Sequence, residues 1–181
     1  GDKAVGFCGA SGVGKSTLAW GFMKEGYTVY SDDVIALKIE EGKVIMYPGF
    51  PRLRLRKEIF GLMSIDDSLF SEIKHAREKK NFTGMDELPM SPVELTKLVV
   101  LKVIDTDKVS RIELKGGEAL LSLQDTAYRT ELEQHIFDDK TLLDRSTKLA
   151  NHTRMNQVER TNHYFCLDEV LEKVHSILMI N

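Results

Sequence analysis

Residues 9–16 read Gly-Ala-Ser-Gly-Val-Gly-Lys-Ser, and an adjacent acid pair, Asp32-Asp33, follows them. The first string is the G-x-x-x-x-G-K-S pattern that cradles nucleotide phosphates. Gly9, Gly12 and Gly14 let the backbone curl, so that N–H groups along Gly9, Ala10, Ser11, Gly12, Val13 and Gly14 converge on phosphate oxygens at a helix N-terminus. Lys15 then reaches the β- and γ-phosphates, and the Ser16 hydroxyl is placed to ligand Mg²⁺. Thr17 either offers a hydroxyl to the α-phosphate or is only a first-turn helix residue. The implied ligands are a nucleoside triphosphate such as ATP and its magnesium ion.

The acid pair extends this chemistry from binding to transfer. Neighbouring side chains on a strand point to opposite faces, so both acids reach one nucleotide only if the strand ends or bends there. One would hold Mg²⁺, and Asp32 joins Ser16 in that set; the other would orient and deprotonate an attacking hydroxyl, as a carboxylate does in kinases. Which acid takes which role stays open, and the plainer alternative has one catalytic and the other capping a turn. Asp105 and Asp107 follow a later apolar run but read as a simple hairpin turn. Basic residues concentrate at Arg52-Leu53-Arg54-Leu55-Arg56-Lys57 and from Lys74 to Lys80. Arg52, Arg54 and Arg56 share one side of an extended segment, either as solvated charges on a sheet edge or with Arg52 approaching phosphates or acceptor. In Arg77-Glu78-Lys79-Lys80, one cation either crosses the site to neutralise charge on the transferred group or belongs to a solvated helix end. The five histidines show no ligand spacing.

These residues need elements to hold them. The apolar run Ala4–Cys8 predicts a strand, and Leu18, Ala19, Phe22 and Met23 predict a helix over 15–25 that Gly26 stops. Residues 27–31 read as a strand rising into the acid pair. Val34–Ile39 and Lys43–Tyr47 flank Glu41-Gly42 as a hairpin, a turn follows at 48–51, and 52–56 reads as an edge strand. Residues 58–80 look helical in part, with a break near Met63-Ser64, and 81–92 reads as a loop. Strands are predicted at 98–104, 110–114 and 164–167. Helices are predicted from Gly116-Gly117, from 139 to about 158, and at the end, where Asp168 is placed to cap Val170, Leu171, Val174, Ile177 and Leu178.

With 181 residues, one sizeable core is expected; 42% hydrophobic and 29% charged residues are ordinary for a soluble globular domain. A net charge of -3 argues against nucleic acid as a partner. Neither a membrane span nor a signal peptide is apparent, and Cys8 and Cys166 read as buried thiols, so the expected compartment is the cytoplasm. Gly1, a charged dipeptide and then a core strand suggest that the sequence begins inside a longer chain.

The strings G-A-S-G-V-G-K-S-T-L-A and G-Y-T-V-Y-S-D-D-V, with Y-P-G-F-P-R-L-R-L at 47–55, R-E-K-K at 77–80 and a later L-V-V-L strand, resemble the catalytic domain of the HPr kinase/phosphorylase family and its smaller homologues. The resemblance covers roughly residues 4–105. It implies an α/β fold of the phosphoenolpyruvate-carboxykinase-like P-loop type, a mixed β-sheet with flanking helices, over a single kinase domain at 1–181. It also implies ATP- and Mg²⁺-dependent phosphorylation of a serine hydroxyl on a protein or peptide, with Asp32 and Asp33 as the paired acids. The basic residue of the family's mobile loop falls on Lys79 or Lys80, with Lys80 taken as the catalytic cation beside Lys15 and Arg52.

The family's upstream histidine would lie before Gly1. Its L-E-I-R-G-L-G segment, which accompanies phosphorylase activity, is here P-R-L-R-L-R-K-E, so reverse phosphorylase activity is not implied. Small kinases that phosphorylate the C-terminal serine of lasso-peptide precursors are resembled at least as well. The expected acceptors are therefore an HPr-like protein or such a peptide, and a homo-oligomer is possible because related enzymes form hexamers. The alternatives are a P-loop small-molecule kinase, or a nucleotide-binding regulatory module without phosphoryl transfer.

Overall fold

The computed structural model describes residues 3–50, 52–84, 91–126 and 135–180. Its centre is β7 (Val93–Val103), whose Leu98-Val99-Val100-Leu101 run is buried on both faces of a sheet. Strand β1 (Lys3–Cys8) pairs parallel with β7. Because Glu94 pairs with both Lys3 and Ile45, β3 (Lys43–Tyr47) lies on the opposite edge of β7 from β1. Farther along that edge β9 (Arg154–Arg160) pairs parallel with β7. The hairpin partner β2 (Ala36–Glu40) flanks β3, and β8 (Ser110–Leu114) flanks β9, completing a mixed six-stranded sheet.

Strand alternation decides what each face packs against. Val99 and Leu101 point toward α1 (Lys15–Lys24) and α5 (Leu167–Leu178), joining Leu18, Phe22, Val170, Val174 and Ile177 in one core. Leu98 and Val100 point the other way, joining Val44, Met46, Leu114, Met155 and, from α3 (Gly116–Thr126), Ala119 and Leu123. Leu95 shares that second core although it is out of phase with Leu98. A register shift, in which Ala4 faces Leu95 but Val5 faces Lys97, supplies the missing half-period. Helix α4 (Asp139–His152) is capped by Asp138, whose carboxylate accepts the Thr141 N–H at 2.7 Å.

A second, antiparallel sheet orders β4 (Arg54–Arg56), β6 (Lys79–Phe82) and β5 (Phe70–Glu72). Its apolar face buries Leu55 and Phe70, which pack with Leu53, with Ile59 from α2 (Glu58–Leu62) and with Trp20 from α1. Trp20 makes an edge contact with Phe82 at 5.1 Å between centroids. Helix α1 is therefore wedged between both sheets.

Several expectations are corrected. Residues 27–31 form no strand, because their backbone bonds elsewhere: Tyr27 N–H donates to Phe22 O at 3.1 Å and Gly49 N–H to Tyr30 O at 2.9 Å. The helical pattern expected over 58–80 holds only for 58–62; beyond a short 3-10 turn at Asp67–Leu69 the chain enters β5 and β6. The expected helix to about 158 stops at His152, where the Thr153 hydroxyl bonds back to Leu149 O at 2.6 Å, and 154–160 is a strand. Residues 164–167 form no strand, and Asp168 lies in the first turn of α5 behind Cys166, so it acts on the helix dipole rather than as its cap. Strand β7 begins at Val93, ahead of the expected 98, and Pro51 with residues 85–90 of the expected 81–92 loop lie outside the described residues. Among the described residues no helix is long and apolar enough to cross a membrane.

Leu18 is 1% exposed at the α1–sheet seam, whereas Leu121 on α3 is 63% exposed. Leu18→Ala should lower unfolding free energy by about 2–5 kcal/mol, and Leu121→Ala should stay within about 0.5 kcal/mol of wild type. Urea denaturation midpoints of the two variants check this.

Candidate functional site

The loop between β1 and α1 carries Gly9, Gly12 and Gly14 at φ values of 136°, 83° and 106°, all in the left-handed region. Gly9 has a second constraint: a Cβ there would run into the backbone carbonyl of Leu101. The chain therefore leaves β1 hard against β7 and turns at once into α1, whose first turn holds Lys15, Ser16 and Thr17. The Lys15 ammonium folds over the loop and donates to Gly9 O at 2.8 Å and Ala10 O at 2.9 Å. Burial pulls Lys15 below the ordinary lysine range, only partly opposed by Cys8, Asp32 and Asp33.

Asp32 joins three parts of the molecule. Ser16 Oγ donates to its Oδ1 at 2.7 Å, and the backbone N–H of Arg54 in β4 donates to its Oδ2 at 2.9 Å. Burial pushes the Asp32 carboxyl above the usual carboxylate range, against the pull of those two hydrogen bonds. Asp33 is more open and forms an ion pair with Arg52. Both acids sit in a bend rather than on a strand, and both line the same cavities.

A cleft of about 1010 Å³ opens over the loop, with the acid pair and the Arg52–Arg56 segment on one side and α3 and α4 on the other. Register fixes which cations face it. Arg54 stands opposite Asn81 and Arg56 opposite Lys79, so Arg54, Arg56 and Lys79 share the face turned to the loop. The Arg56 guanidinium comes within 3.7 Å of the space above Gly12. The structure does not bring Lys80 to this cleft: alternation turns it to the other face, where its ammonium is held by Asp67 at 2.6 Å and by Glu72 at 3.2 Å. It also stands on a strand, not at a helix end.

Arg160 at the end of β9 has no motif to mark it. Its Nε donates to Val13 O and its guanidinium also to Thr161 O, both at 2.9 Å, pinning the loop from the sheet side. The Cys8 thiol, part-buried beside Gly9 with its pKa pushed up by burial, lines the cleft.

The donor set fits a hard cation. Ser16 and Asp32 offer oxygen ligands side by side, and no group of three or more His, Cys, Asp or Glu able to hold a metal occurs among the described residues. A divalent ion here would complete its shell with phosphate oxygens and water, which suits Mg²⁺.

No protein-family model matches the sequence, and no curated protein matches it. Among solved structures, that of the Hpr(Ser) kinase/phosphatase from Coxiella burnetii is similar over 98% of this chain and 90% of its own, at 15% identity and a TM-score of 0.44. That likeness is too distant to transfer an activity or a residue's role to this chain.

Because folding raises the Asp32 pKa, the native state keeps that proton to higher pH than the unfolded chain does. Its contribution to stability should therefore fall as pH rises from the usual carboxylate range through the Asp32 titration. Carboxyl NMR should place the Asp32 midpoint above that of exposed aspartates, and Asp32→Asn should remove this component of the stability–pH curve.

Proposed function

We propose that the chain is an ATP- and Mg²⁺-dependent kinase that transfers the γ-phosphoryl group to a serine hydroxyl of a protein or peptide. The observation that carries this reading is the Ser16–Asp32 hydrogen bond with Asp33 beside it. It sets a metal-suited oxygen pair and a second, more exposed carboxylate at one end of a glycine-rich loop.

In this reading the loop N–H groups and Lys15 hold the phosphates, and Ser16 and Asp32 hold the metal. When bound, Mg²⁺ neutralises charge on the phosphate oxygens. Asp33, oriented by Arg52, accepts the proton of the acceptor hydroxyl as its oxygen bonds to phosphorus and the bond to the departing diphosphate breaks. Arg56 and Lys79 face the cleft from the small sheet and offset the negative charge that spreads over the transferring group. Lys79 replaces Lys80 in that role. Serine as acceptor is supported by the motif resemblance and by the openness of the cavities at the acids, which suits an extended substrate better than a small enclosed one.

The test is transfer from γ-labelled ATP with Mg²⁺ to a panel of serine proteins, serine peptides and small polyols. Lys15→Ala and Asp33→Ala should each abolish detectable label on a serine acceptor. Lys79→Ala should slow transfer by about 10²–10³-fold, as for loss of an aligned electrostatic group, while Lys80→Ala stays near wild type. Label on polyols alone would replace the peptide acceptor with a small molecule, and binding without transfer would leave a regulatory module.

A further inference from the structure

Strand β1 uses one edge only: among the described residues its single partner is β7. Along its other edge lies a cavity of about 840 Å³ that follows Lys3 to Phe7 on one wall and Gly26 to Asp33 on the other. That second wall includes the Tyr-Thr-Val-Tyr-Ser segment whose composition suits a strand. Its backbone bonds to Phe22 and to the turn at Gly49, so it stands beside β1 without pairing to it.

The two ends of this groove carry opposite charge. At the loop end it reaches Lys15, Asp32 and Asp33, residues it shares with the cleft over the glycine-rich loop. At the far end stands Lys3; Lys97 on β7 and Arg154 on β9 are level with Val5 and lie farther across the sheet, and the two acids at the loop end are the only carboxylates among the described lining residues. Lys97 donates to Leu178 O at 2.9 Å and Ile180 O at 2.8 Å, so neutral carbonyls rather than an acid hold it. Burial lowers its pKa, and the neighbouring Arg154 and Lys3 cations lower it further.

We infer that this groove is the acceptor site, and that the acceptor binds as an extended peptide strand added to the free edge of β1, its serine at the acid pair and an acidic side chain at Lys3. The inference rests on the kinase reading above and deepens it. An exposed strand edge offers a row of backbone donors and acceptors that only another extended chain matches, and alternate side-chain contacts then supply selectivity. From Phe7 back to Lys3 is four residues, or roughly 13 Å at about 3.3 Å per residue. The favoured acidic residue therefore lies about four positions from the serine. Asp33 faces the groove and can receive the hydroxyl proton from that side, while the phosphates approach from the loop side.

The experiment uses the whole chain, γ-labelled ATP, and serine peptides carrying a single aspartate or lysine at each position in turn. An aspartate about four residues from the serine should lower KM by about tenfold, consistent with one favourable charge contact. The Lys3→Glu variant should invert that preference toward lysine, an outcome that misfolding cannot produce. Backbone N-methylation of the best peptide should weaken transfer at every second position only. Hydrogen exchange should show residues 3–7 gaining protection when that peptide binds. Transfer with no period of two, no inverted preference and no protection of 3–7 would overturn the docking mode while leaving the kinase intact. Absence of transfer to any peptide, with nucleotide still bound, would overturn the peptide-acceptor reading and the docking mode together.

Discussion

The Asp32 carboxylate is the tie on which the site depends. It accepts from Ser16 at the head of α1 and from the Arg54 backbone in β4, so one side chain couples the large sheet's loop to the small sheet. Together with the Trp20 core, it aligns the cationic face of β4 and β6 with the glycine-rich loop. Burial makes this carboxylate costly to ionise in spite of its two donors, and its raised pKa records that cost. A site that gathers phosphates and a metal ion would recover it through the added positive charge.

Three layers of constraint converge on this tie. Burial of Leu98 to Leu101 on both faces fixes β7, and the Leu101 carbonyl then leaves room only for glycine at position 9. Trp20, Leu53, Leu55 and Phe70 pin the small sheet to α1, which sets the distance from Arg54 to Asp32. Period-two alternation on β6 then assigns Lys79 to the cleft and Lys80 to the acids of the opposite face. The chemistry is local, but each of its side chains is aimed by packing some distance away.

Much of this was legible in the sequence wherever local chemistry and long-range packing agreed. The β1–loop–α1 unit and the Glu41-Gly42 hairpin depend on glycine conformations and nearby apolar periodicity, both visible in the residues themselves. The misses share a cause. Strand β9 reads Arg-Met-Asn-Gln-Val-Glu-Arg, and only its position between β7 and β8 makes buried Asn156 and Gln157 acceptable in a sheet. The Lys79–Phe82 strand straddles the partly helical 58–80 pattern and the expected 81–92 loop, and is strand because β4 and β5 flank it. Residues 27–31 have strand composition but are drawn away by the Gly49 and Phe22 bonds. Arg160 carries no motif at all, and its placement follows from the end of β9 meeting the back of the loop. Of the candidate site, the loop and both acids were visible, while the choice of cations was a matter of register.

The most direct test of the account is calorimetric titration of ATP into the wild-type chain and the Asp32→Ala variant, each across a series of Mg²⁺ concentrations. If Ser16 and Asp32 hold the ion between loop and small sheet, Mg²⁺ will strengthen ATP binding to the wild type and that increment will vanish in the variant, while metal-free binding through the loop persists. An equal Mg²⁺ increment in both proteins would contradict the account, because the metal would then be held without the residue that ties the site together.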